Sequence, residues 1–288
     1  MIYYTCLKGK KPLKNEEMRE LITCISYGDK KYIDAAKFNL ETAKMYGADN
    51  TILYGPWDLP LSFKLKNWRV YFGRSGLHMR RRGAGFWIWK SYIIKESLSK
   101  LKEGDILIYA DGGSVYVNDI SEIIKCFDEQ QLSVMVFSLR IPEKNYTKRD
   151  AFVLLDADEP RFTDTMQRIA TYIILKKDAE SLMFVDEWYD ACKDYRIITD
   201  HRNKMGKRNY PEFIDHRHDQ SILSIIAKKH EIKEYRDPSQ WGNNPSEWPQ
   251  DVLERSSYPQ IWYSTRDKEI TSMAKFREKV KNPYDING

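Results

Sequence analysis

The run Asp105-Ile106-Leu107-Ile108-Tyr109-Ala110 constrains this chain most. It is short and mostly apolar, with Gly104 before it and Asp111, Gly112 and Gly113 after it. A run of that length without a two-residue alternation is the pattern of a central strand covered on both faces. A carboxylate at the C-terminal end of such a strand sits where open α/β sheets place their ligands, and glycines beside it let another group come close. The plainer alternative is a strand and a turn, with Asp111 capping the turn.

A second strand signal, Leu21 to Ser26, is followed by the turn residues Tyr27, Gly28 and Asp29. From about Lys31 to Tyr46 the apolar residues Ile33, Ala36, Leu40, Ala43 and Met45 recur at helical spacing, and Asn50 to Tyr54 reads as a strand. Strand, helix and parallel strand make a βαβ unit, so the fold class expected is α/β with a mainly parallel central sheet flanked by helices. Loops after the first strand of such units commonly hold a nucleotide. Ser26 and Tyr27 are therefore candidate contacts, with Tyr27 stacking on a base or simply covering the sheet.

The 288 residues carry 47 Lys and Arg against 42 Asp and Glu, a net charge of +5 spread along the chain. A duplex-binding protein needs a stronger and more clustered excess, so nucleic acid is not the expected partner. Cys6, Cys24, Cys126 and Cys192 lie far apart with no CxxC pair, which argues against zinc and against a disulfide framework. A reducing compartment fits, and the apolar runs are too short to span a bilayer. The expected location is the cytoplasm, either free or resting on a membrane.

Between Arg69 and Arg82 stand Arg69, Arg74, His78, Arg80, Arg81 and Arg82 without one acid. Arginine forks suit phosphate and diphosphate groups. Gly83 and Gly85 bring the backbone near, and an aromatic helix follows through Trp87, Trp89, Lys90, Ile93, Ile94, Leu98 and Leu101. The arginines could equally be a solvated surface, and most of the helix is core, with Lys90 reaching toward a ligand.

Leu132 to Leu139 reads as a strand, and Thr165 to Leu175 and Ala179 to Cys192 as helices, the last carrying Glu187 toward an acceptor cleft or simply into solvent. A second acidic pattern, Asp156 to Asp158, follows the apolar run Phe152 to Leu155 and rivals Asp111. His216, His218, Asp219 and Gln220 open a helix, where Asp219 reads as a cap, or with His216 three residues before it points into one pocket. Pro56 to Phe72 reads as irregular, and Pro238 to Pro259 as a loop whose Trp241 and Trp248 either stack on a ligand or anchor the loop to the body. The expected division is a main domain over residues 1–264 and a basic amphipathic tail helix over 265–288. That tail packs on the body or touches anionic lipid.

The blocks RGxGxWxWK, GDILIYADGG, KRDAFVLL, EWYDAC and HRHDQSIL together resemble a group of bacterial and viral GT-A-type glycosyltransferases, over roughly Leu21 to Tyr235. The resemblance implies a single Rossmann-like domain. It also implies transfer from a nucleotide sugar, UDP-linked by expectation, to a glycan or lipid-linked glycan acceptor in surface-polysaccharide or glycoprotein assembly. A divalent cation, Mn²⁺ or Mg²⁺, would be held by a DxD-like motif at Asp111. Here Gly113 stands where the second acid would be, so either Asp111 holds the metal with diphosphate and water, or the arginines partly replace it. The implied roles are Asp111 and Asp219 in catalysis, with Ser26, Tyr27, Arg80, Arg81, Gly83, Trp87, Lys90, Gly113, His216 and Gln220 around the donor. A carbohydrate-binding protein that has lost the chemistry, and a metal-dependent nuclease or nucleotidyltransferase using Asp111, Asp156 and His216, are the alternatives.

Overall fold

A computed structural model describes residues 19–74, 76 and 82–281. Strand β1 (Ile22–Tyr27), helix α1 (Ile33–Met45) and strand β2 (Asn50–Tyr54) form the expected βαβ unit, with β1 and β2 parallel from Thr23↔Asn50 to Tyr27↔Tyr54. Helix α1 buries Ala36, Leu40 and Ala43, but Met45, its last residue, faces water instead of joining that row.

Helix α2 (Ile88–Lys100) then leads to β3 (Ile106–Ala110), which pairs parallel to the other side of β1. All five residues of β3 are buried. Leu107 and Tyr109 face the α2 side with Ile93, Ile94 and Leu98, while Ile106, Ile108 and Ala110 face Leu40, Ala43 and Phe127. Both faces are covered because the strand has no polar side chain to offer water.

The chain continues through β4 (Ser114–Tyr116), α3 (Ser121–Glu129), β5 (Val134–Pro142), β6 (Met166–Arg168), β7 (Tyr172–Lys176) and α4 (Ala179–Cys192). It ends with α5 (Asp219–Lys229), β8 (Glu234–Tyr235), β9 (Trp262–Ser264) and α6 (Met273–Lys281). The main sheet has the order β2-β1-β3-β7-β5-β6, with β8 paired to β5. β7 is antiparallel to β3 and β5, and β6 is antiparallel to β5, so β1, β2, β3, β5 and β8 all run one way. The fold class is the expected α/β one, with a mainly parallel sheet flanked by helices.

Three local expectations are corrected. Thr165 to Leu175 is not a helix but β6, a connection and β7. Its β-branched run is buried on both sides, and β7 completes the ladder between β3 and β5. Phe152 to Leu155 belongs to a short helix over Arg149–Leu154, so the acidic pattern after it does not end a strand. Pro56 to Phe72 contains two short helices, Leu61–Lys66 and Trp68–Tyr71.

At the C-terminal side, β9 pairs antiparallel with β4, and the backbone N–H groups of Thr265 and Arg266 donate to Gly113 O at 2.9 and 3.1 Å. Those bonds hold the chain outside helical geometry there, so α6 starts at Met273. Phe276 of α6 packs with Phe38, Val115 and Ile270.

The turn after β3 is close-packed: a Cβ on Gly112 would lie 2.9 Å from Ala36 Cβ and 3.1 Å from Tyr27 O. We expect Gly112→Ala to cost about 1–3 kcal/mol by overpacking. In urea the midpoint should fall with the slope unchanged; an unchanged midpoint would show that this turn does not rest on α1.

Candidate active site

Strands β2 and β3 lie on opposite sides of β1, so the sheet order reverses between β1 and β3. The crevice outside the carboxyl ends of two such strands is where open α/β sheets bind ligands. Ser26 and Tyr27 end β1 there and Asp111 follows β3. The Ser26 hydroxyl donates to Ala110 O at 2.8 Å, which ties the two strand ends together.

Lys90, one turn into α2, reaches this point from below the sheet. Its Nζ lies 3.1 Å from Asp111 Oδ1, 3.3 Å from Asp219 Oδ2 and 3.1 Å from Ala170 O. Three acceptors thus meet the three donors of one ammonium. The lysine is 3% exposed and Asp219 4% exposed, whereas the Asp111 side chain keeps 37% of its surface. Only Asp111, of the two carboxylates, looks into the crevice. Tyr109, buried under it, donates its hydroxyl to Asp111 Oδ1 at 2.5 Å, leaving Oδ2 toward the open side.

These charges set one another. Burial alone pushes the Lys90 ammonium down, but Asp111 and then Asp219 more than offset it, and the pKa ends above the ordinary lysine value. Burial pushes the Asp219 carboxyl up, Lys90 pulls it back and Asp111 raises it again, giving about 6. Burial, then the charge of Asp111, drives the Tyr109 hydroxyl well above 10, so it remains a donor.

The tryptophan segment is built on unusual backbone. Gly83, Ala84, Gly85, Phe86 and Trp87 all have positive φ, between 50° and 104°. They make a left-handed turn that right-handed α2 then leaves at Ile88. Ala84, Phe86 and Trp87 each bear the Cβ penalty of that region, about 1–2 kcal/mol. Gly85 is required, because a Cβ there would come 2.7 Å from Tyr71 Cα. Gly83 lies under the Trp87 ring and its carbonyl accepts from Trp89 Nε1 at 2.9 Å. The expected glycine-to-helix entry is therefore a strained turn that fixes Trp87, Trp89 and Lys90.

Several expected donor contacts are placed differently. Tyr27 is buried with its ring stacked on Trp89 at 3.6 Å, so that face is not offered to a base. Lys90 has spent its donors internally and does not reach outward for phosphate. His216 is buried and both ring nitrogens are used: Nδ1 accepts from Lys148 N–H at 3.2 Å and Nε2–H donates to Ile197 O at 2.8 Å. Burial, with the His218 ring next, holds its pKa well below 6.5, and the ring serves as a neutral strut. Gln220 bridges Gln167 Oε1 and Ala170 N, steadying the carbonyl that Lys90 uses. Gly113 spends its carbonyl on Thr265 and Arg266.

Arg80 and Arg81 lie outside the described residues. Arg82 is described, and it pairs with Asp215 at 2.8 Å and Asp200 at 3.7 Å, so much of its charge is already met. Of the rival acidic pattern, Asp156 is exposed and Asp158 is held by Arg149, Lys207 and Tyr210. Glu187 pairs with His230 at 2.7 Å on the surface. The loop from Pro238 to Pro259 is irregular but includes a helical stretch at Gln250–Arg255; Trp248 is buried and Trp241 half exposed.

The donor set fits a protein-held divalent cation poorly. Among the described residues no three His, Cys, Asp or Glu side chains are grouped to hold one. The single carboxylate in the crevice already faces an ammonium, which repels a dication brought to the same oxygen. Sequence reasoning missed Tyr109 as a functional group, since within an apolar run it reads as core, and missed Ala170, which contributes only its carbonyl. It also missed Arg266, exposed beside Gly113 with its guanidinium 5.8 Å from the Trp241 ring.

No family model and no curated protein matches this chain. Among solved structures it is similar to apo mouse xyloside xylosyltransferase 1, at 12% identity and a TM-score of 0.43, over 84% of this chain and 97% of that one. It is also similar to a glycosyltransferase involved in glycosylation of the PBCV-1 major capsid, at 11% identity and a TM-score of 0.43, over 91% and 99%. A third likeness is to apo WbbM, a bifunctional glycosyltransferase, at 10% identity and a TM-score of 0.46, over 88% of this chain but 47% of that longer one. Likenesses this loose do not assign a family.

The cluster generates a stability prediction. Lys90→Met leaves Asp219 as an uncompensated buried charge and should cost about 3–5 kcal/mol at neutral pH. With the cation gone, the already raised Asp219 pKa rises further. The folded state then binds this proton more tightly than the unfolded state, so the contribution falls as pH rises through the folded value and returns on acidification. The deficit against wild type should therefore be smaller at pH 5 than at pH 8, and Asp219→Asn should rescue Lys90→Met. Equal deficits at both pH values, measured by urea denaturation, would show that the Asp219 charge is not what Lys90 balances.

Proposed function

We propose that the chain is a GT-A-type glycosyltransferase that moves a sugar from a nucleotide sugar to a glycan acceptor. One observation carries the reading. The blocks GxWxWK, YADGG and HRHDQS, far apart in sequence, supply Lys90, Asp111 and Asp219, and these meet within 3.1–3.3 Å at the strand-order reversal. A core salt bridge with no ligand role has no need to be at that crevice or to leave one carboxylate open to it.

In this reading Asp111 Oδ2 accepts hydrogen bonds from hydroxyls of the donor sugar, while Tyr109 and Lys90 hold the carboxylate in place. Asp219 acts through Lys90 and is a positioning residue rather than the base. Arg266, exposed at the β3–β4 turn, is the described cation best placed for the diphosphate, with Arg80 and Arg81 proposed beside it. UDP as the nucleotide, a glycan or lipid-linked acceptor, and a role in surface-polysaccharide or glycoprotein glycan assembly remain proposals on the sequence resemblance. Peripheral membrane contact through the tail and a cytoplasmic location are proposed on the same footing; no helix among the described residues is long and apolar enough to cross a membrane.

The first test is a thermal-shift panel of nucleoside diphosphates and nucleotide sugars, each with and without Mn²⁺ or Mg²⁺. A ligand binding only the native state raises the melting temperature by mass action. One nucleoside diphosphate should raise it, with or without metal, because the exposed Arg266 beside Gly113 offers the diphosphate a cation of the protein's own; no shift with any of them would sink the transferase reading and favour the carbohydrate-binding one.

Asp111→Asn should lower turnover at least about 100-fold with the fold intact, as expected for losing a preorganised charge at a reacting centre. Turnover of the native enzyme should also fall as pH drops below about 6, where Asp219 takes up a proton and loosens its hold on Lys90. In Asp219→Asn that limb should vanish, and its survival would assign it to another group.

A further inference from the structure

Away from the crevice, a cavity of about 470 Å³ opens between the Trp68–Tyr71 turn, the short helix Tyr195–Ile198 and the segment after it. Seven lysine or arginine side chains line it, against one carboxylate, Asp194. That acid is already taken: it accepts from the Arg196 guanidinium at 2.6 Å and from Arg196 N–H at 2.8 Å. Among the described residues Lys66, Arg69, Arg202 and Lys204 have no carboxylate partner.

Lys148 is the telling member. It is 2% exposed, yet its Nζ has one hydrogen bond, to His201 O at 2.8 Å, and its nearest ion-pair contact is Asp150 at 4.0 Å. Asp150 spends its oxygens on the backbone N–H groups of Lys204 and Met205, at 2.6 and 3.0 Å. A buried ammonium with donors to spare is costly unless an anion completes it. Burial lowers its pKa, and the more distant charges of Asp150, Asp200 and Asp194 do not offset it, which an anion in direct contact would.

The wall carrying these cations is fixed in advance. Asp150 pins the segment at Lys204, Thr199 Oγ1 donates to Tyr195 O at 2.7 Å, and His201 Nε2 bonds Arg74 O at 2.8 Å. The indole of Trp68 lines the same cavity while 61% exposed, and such a face suits the apolar side of a sugar ring. The carbonyls of Ile197 and Ile198 hold His216 and His218 on the other side of this wall, so the cavity backs onto the candidate active site without sharing its charged cluster.

We propose that this cavity is a second binding site, for a saccharide bearing a phosphate or carboxylate group, with Lys148, Arg202 and Lys204 meeting the anion and Trp68 the ring. The site needs no turnover to be seen, and it stands or falls separately from the transferase reading.

The test is calorimetric titration of the whole chain with glucose 6-phosphate, glucuronate, inorganic phosphate and glucose. Either glucose 6-phosphate or glucuronate should bind more tightly than both inorganic phosphate and glucose, and which of the two binds identifies the anion. Arg202→Ala/Lys204→Ala, two exposed positions that should leave the fold intact, should weaken that binding about tenfold or more, since hydrogen bonds to charged groups are the strong ones. Trp68→Ala should weaken the saccharide and spare inorganic phosphate. Lys148→Met should abolish binding, with circular dichroism confirming a folded variant. Binding of glucose as tight as its charged relatives, or affinity unchanged in the double variant, would overturn the proposal. Inorganic phosphate binding as tightly as glucose 6-phosphate would also overturn it, by removing the saccharide from the site.

Discussion

One buried ammonium holds the working end of this molecule together. Lys90 comes from α2, Asp111 from the end of β3, Asp219 from the first turn of α5 and Ala170 from the connection into β7, and all three acceptors converge on the same nitrogen. A lysine at 3% exposure has lost its hydration, and one carboxylate would not restore it. Two carboxylates and a carbonyl do, which explains why the lysine's pKa rises in spite of burial. The same arithmetic explains the asymmetry of the acids: the one behind the lysine is buried and its pKa raised to about 6, and the one in front keeps an oxygen for the crevice.

That nitrogen must arrive at a fixed point, and the backbone before it is strained to deliver it. Five consecutive residues, Gly83 to Trp87, have positive φ, three of them with a Cβ. Gly83 and Gly85 take such φ without penalty; at Ala84, Phe86 and Trp87 the turn persists because Phe86 is fully buried, Trp87 packs near His218 and Trp89 stacks on Tyr27 and bonds Gly83. The partner side has its own strain, since His218 has φ 52° immediately before α5 and is anchored to Ile198 O. Both halves of the ion-pair cluster therefore start from unfavourable backbone held by aromatic packing. The strain is placed where orientation matters more than local stability.

The strands and the long helices were legible in the sequence because they answer to periodicity. The run Ile106 to Ala110 is apolar on both faces and is covered on both, and the row Ala36, Leu40 and Ala43 is the buried side of α1. Thr165 to Leu175 was misread because a short apolar run fits a buried helix as well as a buried strand, and only the gap between β3 and β5 decides between them. The residues of the candidate site were legible as chemistry and not as geometry. Lys90, Asp111 and Asp219 could be singled out, but nothing in their spacing says that the lysine faces inward and spends every donor. His216 read as a ligand because histidine usually advertises function, whereas here two backbone groups use both nitrogens. Backbone partners are invisible to any reading of side-chain types, and Ala170 is the extreme case.

Charge is distributed in a way that net composition conceals. Of the arginines that the sequence offers as phosphate contacts, Arg82 is met by Asp215 and Asp200. The lysine at the crevice is met by two more acids. Cations without a carboxylate gather instead around Lys148, where the only lining acid among the described residues is bound to Arg196. A fold whose overall charge is only +5 can thus present one crevice in which cation and acids are balanced and one cavity in which they are not. The balanced cluster around Lys90 has no free cation to offer a ligand, and the unbalanced cavity suits one that carries its own negative charge. In the wall between them, residues 197–201, the carbonyls of Ile197 and Ile198 turn to the histidines, whereas Thr199 and His201 line the cavity and His201 O accepts from Lys148 Nζ. The two environments are therefore set by opposite sides of one short segment.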